Sequence, residues 1–206
     1  MEKSRIGSVI SRLIDLILAG FYWVICSLPV ITIGAASTAL YYTVVKCVRH
    51  ERGRMSASFF AAFKREFRQG TIIWLIYMAY IAIIAADAWA IEVTGLGTGT
   101  LGLLRWLFFL PALLSLPWIF AYVSRFSNSI RGSLKFAGWL TLKHLGRSAA
   151  MAAELMAAGV IVWLTPMLLP LLPGALCMLM SIHIEPVFRE YTAEQGGENT
   201  DAWYNE

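Results

Sequence analysis

The sequence predicts an all-α fold: a polytopic helical membrane bundle of about six spans, five being the alternative, with both termini cytoplasmic and two basic amphipathic interfacial helices. Three observations lead there. Of the 206 residues, 58% are hydrophobic and only 15% charged, with a mean hydropathy of +0.64, far more apolar than an average soluble domain. The apolar residues come in runs long enough to cross a hydrocarbon layer, separated by Pro, Gly and polar breakers. The Lys and Arg residues gather in alternate connections, the pattern that orients membrane proteins.

The first span covers 13–28. Residues 1–12 are basic and imitate a secretory leader, but Asp15 interrupts the apolar run and no small-x-small cleavage site precedes Pro29, so the segment reads as an uncleaved anchor. The stretch 27–46 (SLPVITIGAASTALYYTVVK) holds no charge before its last residue. Pro29 cannot donate a helical hydrogen bond and biases Leu28 away from helical angles, Gly34 tolerates a reversal, and Ser37 and Thr38 can cap a new helix. A second span of 35–48 follows, short by itself, and its Ala35 and Ala39 let a neighbouring backbone approach closely. Further spans are expected at 71–91, 103–123, 148–164 and 175–188, with a Gly/Thr loop at 94–102 and a Pro-rich turn at 165–174. Residues 1–191 then make one transmembrane domain, and 192–206 a polar tail with the composition of a disordered segment.

On this layout 16 of the 17 Lys and Arg residues fall on one side, and only Arg105 lies opposite. An odd number of spans would spoil that alternation. The net charge of +4 is therefore explained by topology and not by nucleic acid. Cys26, Cys47 and Cys177 lie in or beside apolar runs without paired spacing, as small core hydrophobes do.

Acidic residues in apolar segments are the candidates for function, because a charge at mid-bilayer costs roughly 2.5–3.5 kcal/mol and normally faces protein or water. Asp15, Glu154 and Glu185 fall within about 10 Å of the expected cytoplasmic span ends, in one layer with Arg125, His144, Arg147 and His183. Two arrangements suit this layer: a cytoplasm-facing polar pocket, or ion pairs with Arg125 and Arg147 that fix helix packing. On the other side Tyr77, Tyr80 and Asp87 share a helix face, lining a polar cavity or leaving Asp87 or Glu92 to pair with Arg105. The two basic connections are amphipathic. Phe59, Phe60, Phe63 and Phe67 oppose Lys64, Arg65 and Arg68, and Ile130, Leu134, Phe136 and Leu140 accompany Arg131, Lys135 and Lys143. Such helices lie among lipid headgroups or offer a basic face to a partner. Alanine ladders at 82, 86 and 90 and at 149, 153 and 157 are expected to pack closely.

No cofactor, metal site or catalytic constellation is expected. Residues 97–102 spell G-x-G-x-x-G, but no strand precedes them. His183 and Glu185 imitate half of a zinc-deaminase motif without its P-C-x-x-C.

The run S-L-P-V-I-T-I-G-A-A-S-T-A-L-Y-Y at 27–42 resembles the signature of the YesL-like family, small bacterial integral membrane proteins of undefined activity. The resemblance continues through S-F-F-A-A-F-K-R-E-F-R-Q at 58–69, T-I-I-W at 71–74, Y-V-S-R-F at 122–126, His144 and Leu145, and I-E-P-V-F-R-E-Y at 184–191. It implies a multi-pass protein of the bacterial cytoplasmic membrane, an accessory to carbohydrate uptake whose partners are membrane lipids and a sugar-importing ABC system or another membrane protein. The residues themselves favour a non-catalytic partner-binding protein. The alternative is a small-solute transporter or channel using the intramembrane acids, against which no repeat between the two halves is apparent.

Overall fold

The computed structural model describes residues 2–94, 100–126 and 128–194. Among them there is no strand. Seven helices follow one another: α1 (Glu2–Ser27), α2 (Ile33–Thr43), α3 (Met55–Thr94), α4 (Thr100–Arg125), α5 (Ile130–Lys143), α6 (Leu145–Leu164) and α7 (Leu172–Glu194). Five segments are long and apolar enough to cross a membrane: Ile10–Ser27, Val30–Arg49, Met55–Ala90, Phe108–Arg125 and Leu145–Leu164. The protein is a helical bundle built for a membrane.

The sixth expected span is the one that falls short, not the second. α7 carries His183, Glu185, Arg189 and Glu190 in its later half, which lowers its mean hydropathy. The second span is completed at both ends, by a 3-10 turn (Val30–Thr32) and by a π-helical stretch (Val44–Arg49), and is the most buried of the five. Pro29 does end α1, and the reversal is absorbed at Val30, whose φ of 22° is rare for a β-branched residue. Thr32 returns a side-chain hydrogen bond to the Cys26 carbonyl.

Gly34, expected to supply the reversal, lies inside α2 and serves another purpose. A Cβ there would stand 2.3 Å from the Gly70 carbonyl oxygen, and one on Gly70 would stand 2.8 Å from the Ala35 Cα. α2 and α3 thus cross backbone against backbone, with Ala35 and Ala39 fully buried at the seam. Ser37 and Thr38 do not cap either: the Ser37 hydroxyl accepts from the Trp23 indole at 3.1 Å, and Thr38 Oγ1 donates to the Gly34 carbonyl at 2.9 Å.

α3 merges two expected elements. The basic segment and the third span form one 40-residue helix, about 60 Å long, twice the thickness of a hydrocarbon core. Gly70 does not break it, because the helix-propensity cost of about 1 kcal/mol is offset by the close approach to α2. The N-terminal half is clamped there, with Phe59, Ala62 and Ile73 buried. The C-terminal half leans on α4 through Tyr77 and Ser115, whose hydroxyls are 2.7 Å apart, and through Tyr80, which donates to the Phe108 carbonyl at 2.7 Å. Its Ala82 and Ala86 are exposed, and so are Ala149, Ala153 and Ala157 of α6. The packed face of α6 carries Ser148, Met151, Ala152 and Ala158 instead. Neither alanine ladder makes the expected seam.

α5 starts where Ser129 accepts a hydrogen bond from the Gly132 N–H at 3.2 Å. Its buried residues, Ser133, Ala137, Leu140 and Thr141, pack on the bundle and not on lipid alone. His144 breaks the chain between α5 and α6 at φ −121°, ψ 48°. α7 crosses α1 tightly, since a Cβ on Gly174 would lie 2.3 Å from the Leu16 carbonyl oxygen.

Candidate functional site: a buried ion pair beside an apolar cavity

Three helices deliver one side chain each to the polar centre of the bundle. Arg125 ends α4, Glu185 lies in α7 and Tyr41 lies in α2. Arg125 Nη1 stands 3.1 Å from Glu185 Oε2, and both side chains are 1% exposed. Tyr41 donates its phenolic hydrogen to Glu185 Oε1 at 2.8 Å. Each carboxylate oxygen is therefore partnered, the condition on which a charge is tolerated in such a place. The guanidinium also lies over the Phe126 and Phe188 rings, at 5.6 and 5.5 Å from their centroids, adding cation–π attraction. One turn earlier in α7, the Ser181 carbonyl and hydroxyl accept from Arg49 Nη1 at 2.8 and 3.1 Å. α2 with its π-helical extension, α4 and α7 are locked together by charge-assisted bonds.

A second pair lies close by. His183 Nε2 and Glu154 Oε1 are 3.1 Å apart, with the two side chains 33% and 25% exposed. The other Glu154 oxygen is buried and unpartnered among the described residues. The seven-residue layer thus resolves into two acid–base pairs rather than one shared polar pocket. Asp15 is half-buried on α1 and joins neither, and Arg147 is exposed. His144 is half-buried, 6.1 Å from the Trp118 ring, and its Nε2 is buried with no hydrogen-bond partner among the described residues. Burial, reinforced by the positive charges of Arg147 and Lys143, lowers its pKa against a smaller upward pull from Glu190.

Beside the ion pair lies a cavity of about 350 Å³ between α1, α2, α4, α6 and α7. Its walls are mainly Leu, Ile, Met, Pro, Ala, Val and Phe side chains, with the Cys177 thiol among them, and two of its polar groups are engaged elsewhere. The Trp23 indole N–H is taken by Ser37, and the Tyr41 hydroxyl is turned towards Glu185. A second, larger space of about 490 Å³ lies between α3, α4 and α5 and includes Tyr77, Tyr80 and Ser115. Asp87 is exposed and does not line it, while the side chains of Glu92 and Arg105 lie outside the described residues.

The six cations of the basic segments are all exposed: Lys64, Arg65 and Arg68 on α3, and Arg131, Lys135 and Lys143 on α5. The two segments are tied together, because the Gln69 amide donates to the Asn128 carbonyl at 3.0 Å and to the Ser133 hydroxyl at 3.2 Å. Arg65 also pairs with Glu66 at 2.8 Å, and the Lys143 ammonium sits 4.8 Å from the Trp139 ring. Among the described residues, no three His, Cys, Asp or Glu side chains gather as a metal site would require.

Tyr41, Arg49 and Ser181 were not among the candidates read from the sequence. Tyr41 sits within the uncharged run 27–45, where a phenol looks like an aromatic core residue. Its one signal was an aromatic hydroxyl within a membrane segment that also needed an acid's partner.

The class of protein is set by this geometry: a helical membrane protein held together by buried polar bonds. Residues 16–88, from the middle of α1 into the exposed half of α3, match a family described as a protein of unknown function, DUF624. No curated protein matches the chain, and no solved structure does.

Proposed function

We propose that this is a non-catalytic accessory protein of the cytoplasmic membrane that works by docking another membrane protein through its basic platform. The observation that carries this reading is the rigid pairing of the two amphipathic segments. Gln69 holds α3 to α5 while six cations stay exposed on them. The gathering of Lys and Arg on these two connections places them on the cytoplasmic side whichever span count holds, and so puts that platform at the inner surface among anionic headgroups. The intramembrane acids support the same reading from the other direction. Glu185 is spent on Arg125 and Tyr41, Glu154 faces His183, and the cavity beside them is lined mainly by apolar side chains. The resemblance to the YesL-like family fits the match over residues 16–88 and supplies the class of partner, a sugar-importing ABC system.

Photocrosslinking amino acids at positions 65 and 135, in native membranes, test the proposal. One specific membrane protein is expected at both positions. Capture of nothing but lipid or a second copy of this chain would refute it. The alternative, a small-solute transporter or channel, rests on the intramembrane acids and predicts solute flux in liposomes without a partner, lost on Asp87→Asn or Glu154→Gln.

A further inference from the structure

The cavity beside the ion pair opens in a bundle whose α2–α3 and α1–α7 crossings are closed by glycine and alanine seams. On α6 its wall is Leu155, Ala158, Gly159 and Val162, one face at i, i+3, i+4 and i+7, and the gap exists because the two central residues are small. A Cβ built on Gly159 meets nothing within 4 Å. On α7 the wall runs from Leu172 to Ile184, a rise of about 18 Å. A space of about 350 Å³ along that length can take a stretch of hydrocarbon chain.

The chemistry of the lining narrows the occupant further. Water needs two to four polar partners to be held in a cavity, and here the Trp23 N–H is taken by Ser37 while Tyr41 is committed to Glu185. An empty apolar void of this volume would forfeit dispersion contacts along its whole wall. Four of the five helices that line it, α1, α2, α4 and α6, include segments long and apolar enough to cross a membrane, so acyl chains are the solvent at hand. We propose that this cavity holds one acyl chain of a membrane phospholipid, lodged between α6 and α7 as a structural ligand.

The chain fills the space that Ala158 and Gly159 leave and packs against Leu176 and Met180 on the facing helix. It also shields the ion pair from water entering along the cavity, since Ile184 and Tyr41 form the part of the lining nearest Glu185.

The test uses full-length protein in vesicles of phosphatidylglycerol, a fraction of which carries a diazirine midway along one acyl chain. After illumination, label is expected on Leu155, Leu176 and Met180 as well as on the outward-facing Val160 and Trp163. Gly159→Phe should reduce label at the cavity residues about tenfold and leave Val160 and Trp163 unchanged. Label confined to outward residues in the wild type, or cavity label indifferent to Gly159→Phe, would overturn the proposal. Native mass spectrometry of the wild type provides a reading independent of the variant's folding. Release from detergent with one phospholipid mass attached supports the acyl chain, whereas a bare chain, or one carrying a free fatty acid, refutes it.

Discussion

Two acid–base pairs sit on opposite faces of the same turn of α7, and they are not equivalent. Glu185 meets Arg125 with both side chains 1% exposed, and Tyr41 saturates its second oxygen. Glu154 meets His183 at the same 3.1 Å, but with 25% and 33% of the side chains exposed and one carboxylate oxygen without a partner among the described residues. Separation alone does not make the pairs alike. What differs is the medium and the number of satisfied lone pairs, and those decide how much is lost when a partner is removed.

The strongest way to break this comparison is Arg125→Ala. It strands a buried carboxylate and should cost about 3–5 kcal/mol in equilibrium unfolding in mixed micelles; a loss near that of an ordinary surface change would mean that Glu185 finds water. Tyr41→Phe keeps the ring and removes one bond to a charged acceptor, for which about 1.5–3 kcal/mol is expected in the same assay. Glu154→Gln and His183→Ala should each stay within about 1 kcal/mol, as for half-open pairs elsewhere. A double-mutant cycle on 154 and 183 should then return a much smaller coupling than one on 125 and 185.

The smallest effect belongs to His144. Burial and the neighbouring cations lower the His144 pKa, so the unfolded chain takes up a proton near pH 6.5 that the folded chain refuses. Stability from this source is complete above the ordinary histidine value and declines as pH falls below it. The acid-side decline should flatten in His144→Gln, measured as the unfolding midpoint between pH 7.5 and 5. A decline unchanged in that variant would move the pH dependence away from His144.

Particular residues show how far the sequence could be read. Pro29 ended the first helix as expected, and Ala35 with Ala39 marked a real seam, because small residues on one helix pay off wherever the facing helix has its own. The partner turned out to be Gly70, 35 residues beyond Ala35, and nothing local distinguishes it from a glycine that ends a helix. The ladders at 82, 86 and 149, 153, 157 carried the same signature and face outwards. Alanine is also the best helix former, so its periodic recurrence does not identify a contact. Arg125 and Glu185 were both recognised as members of one layer, but so were five residues that do not meet them.

Helix formation and apolar character are sums over neighbouring residues. The sequence alone therefore determined that this chain is helical, that it is suited to a membrane, where its first break falls and at which ends its cations gather. Which acid found which base, which half of α3 is clamped, and whether a gap remains between α6 and α7 depend on several helix surfaces meeting at once. Those were decided by tertiary packing, because a buried charge or a close backbone crossing is stable only when residues from distant segments arrive together to complete it.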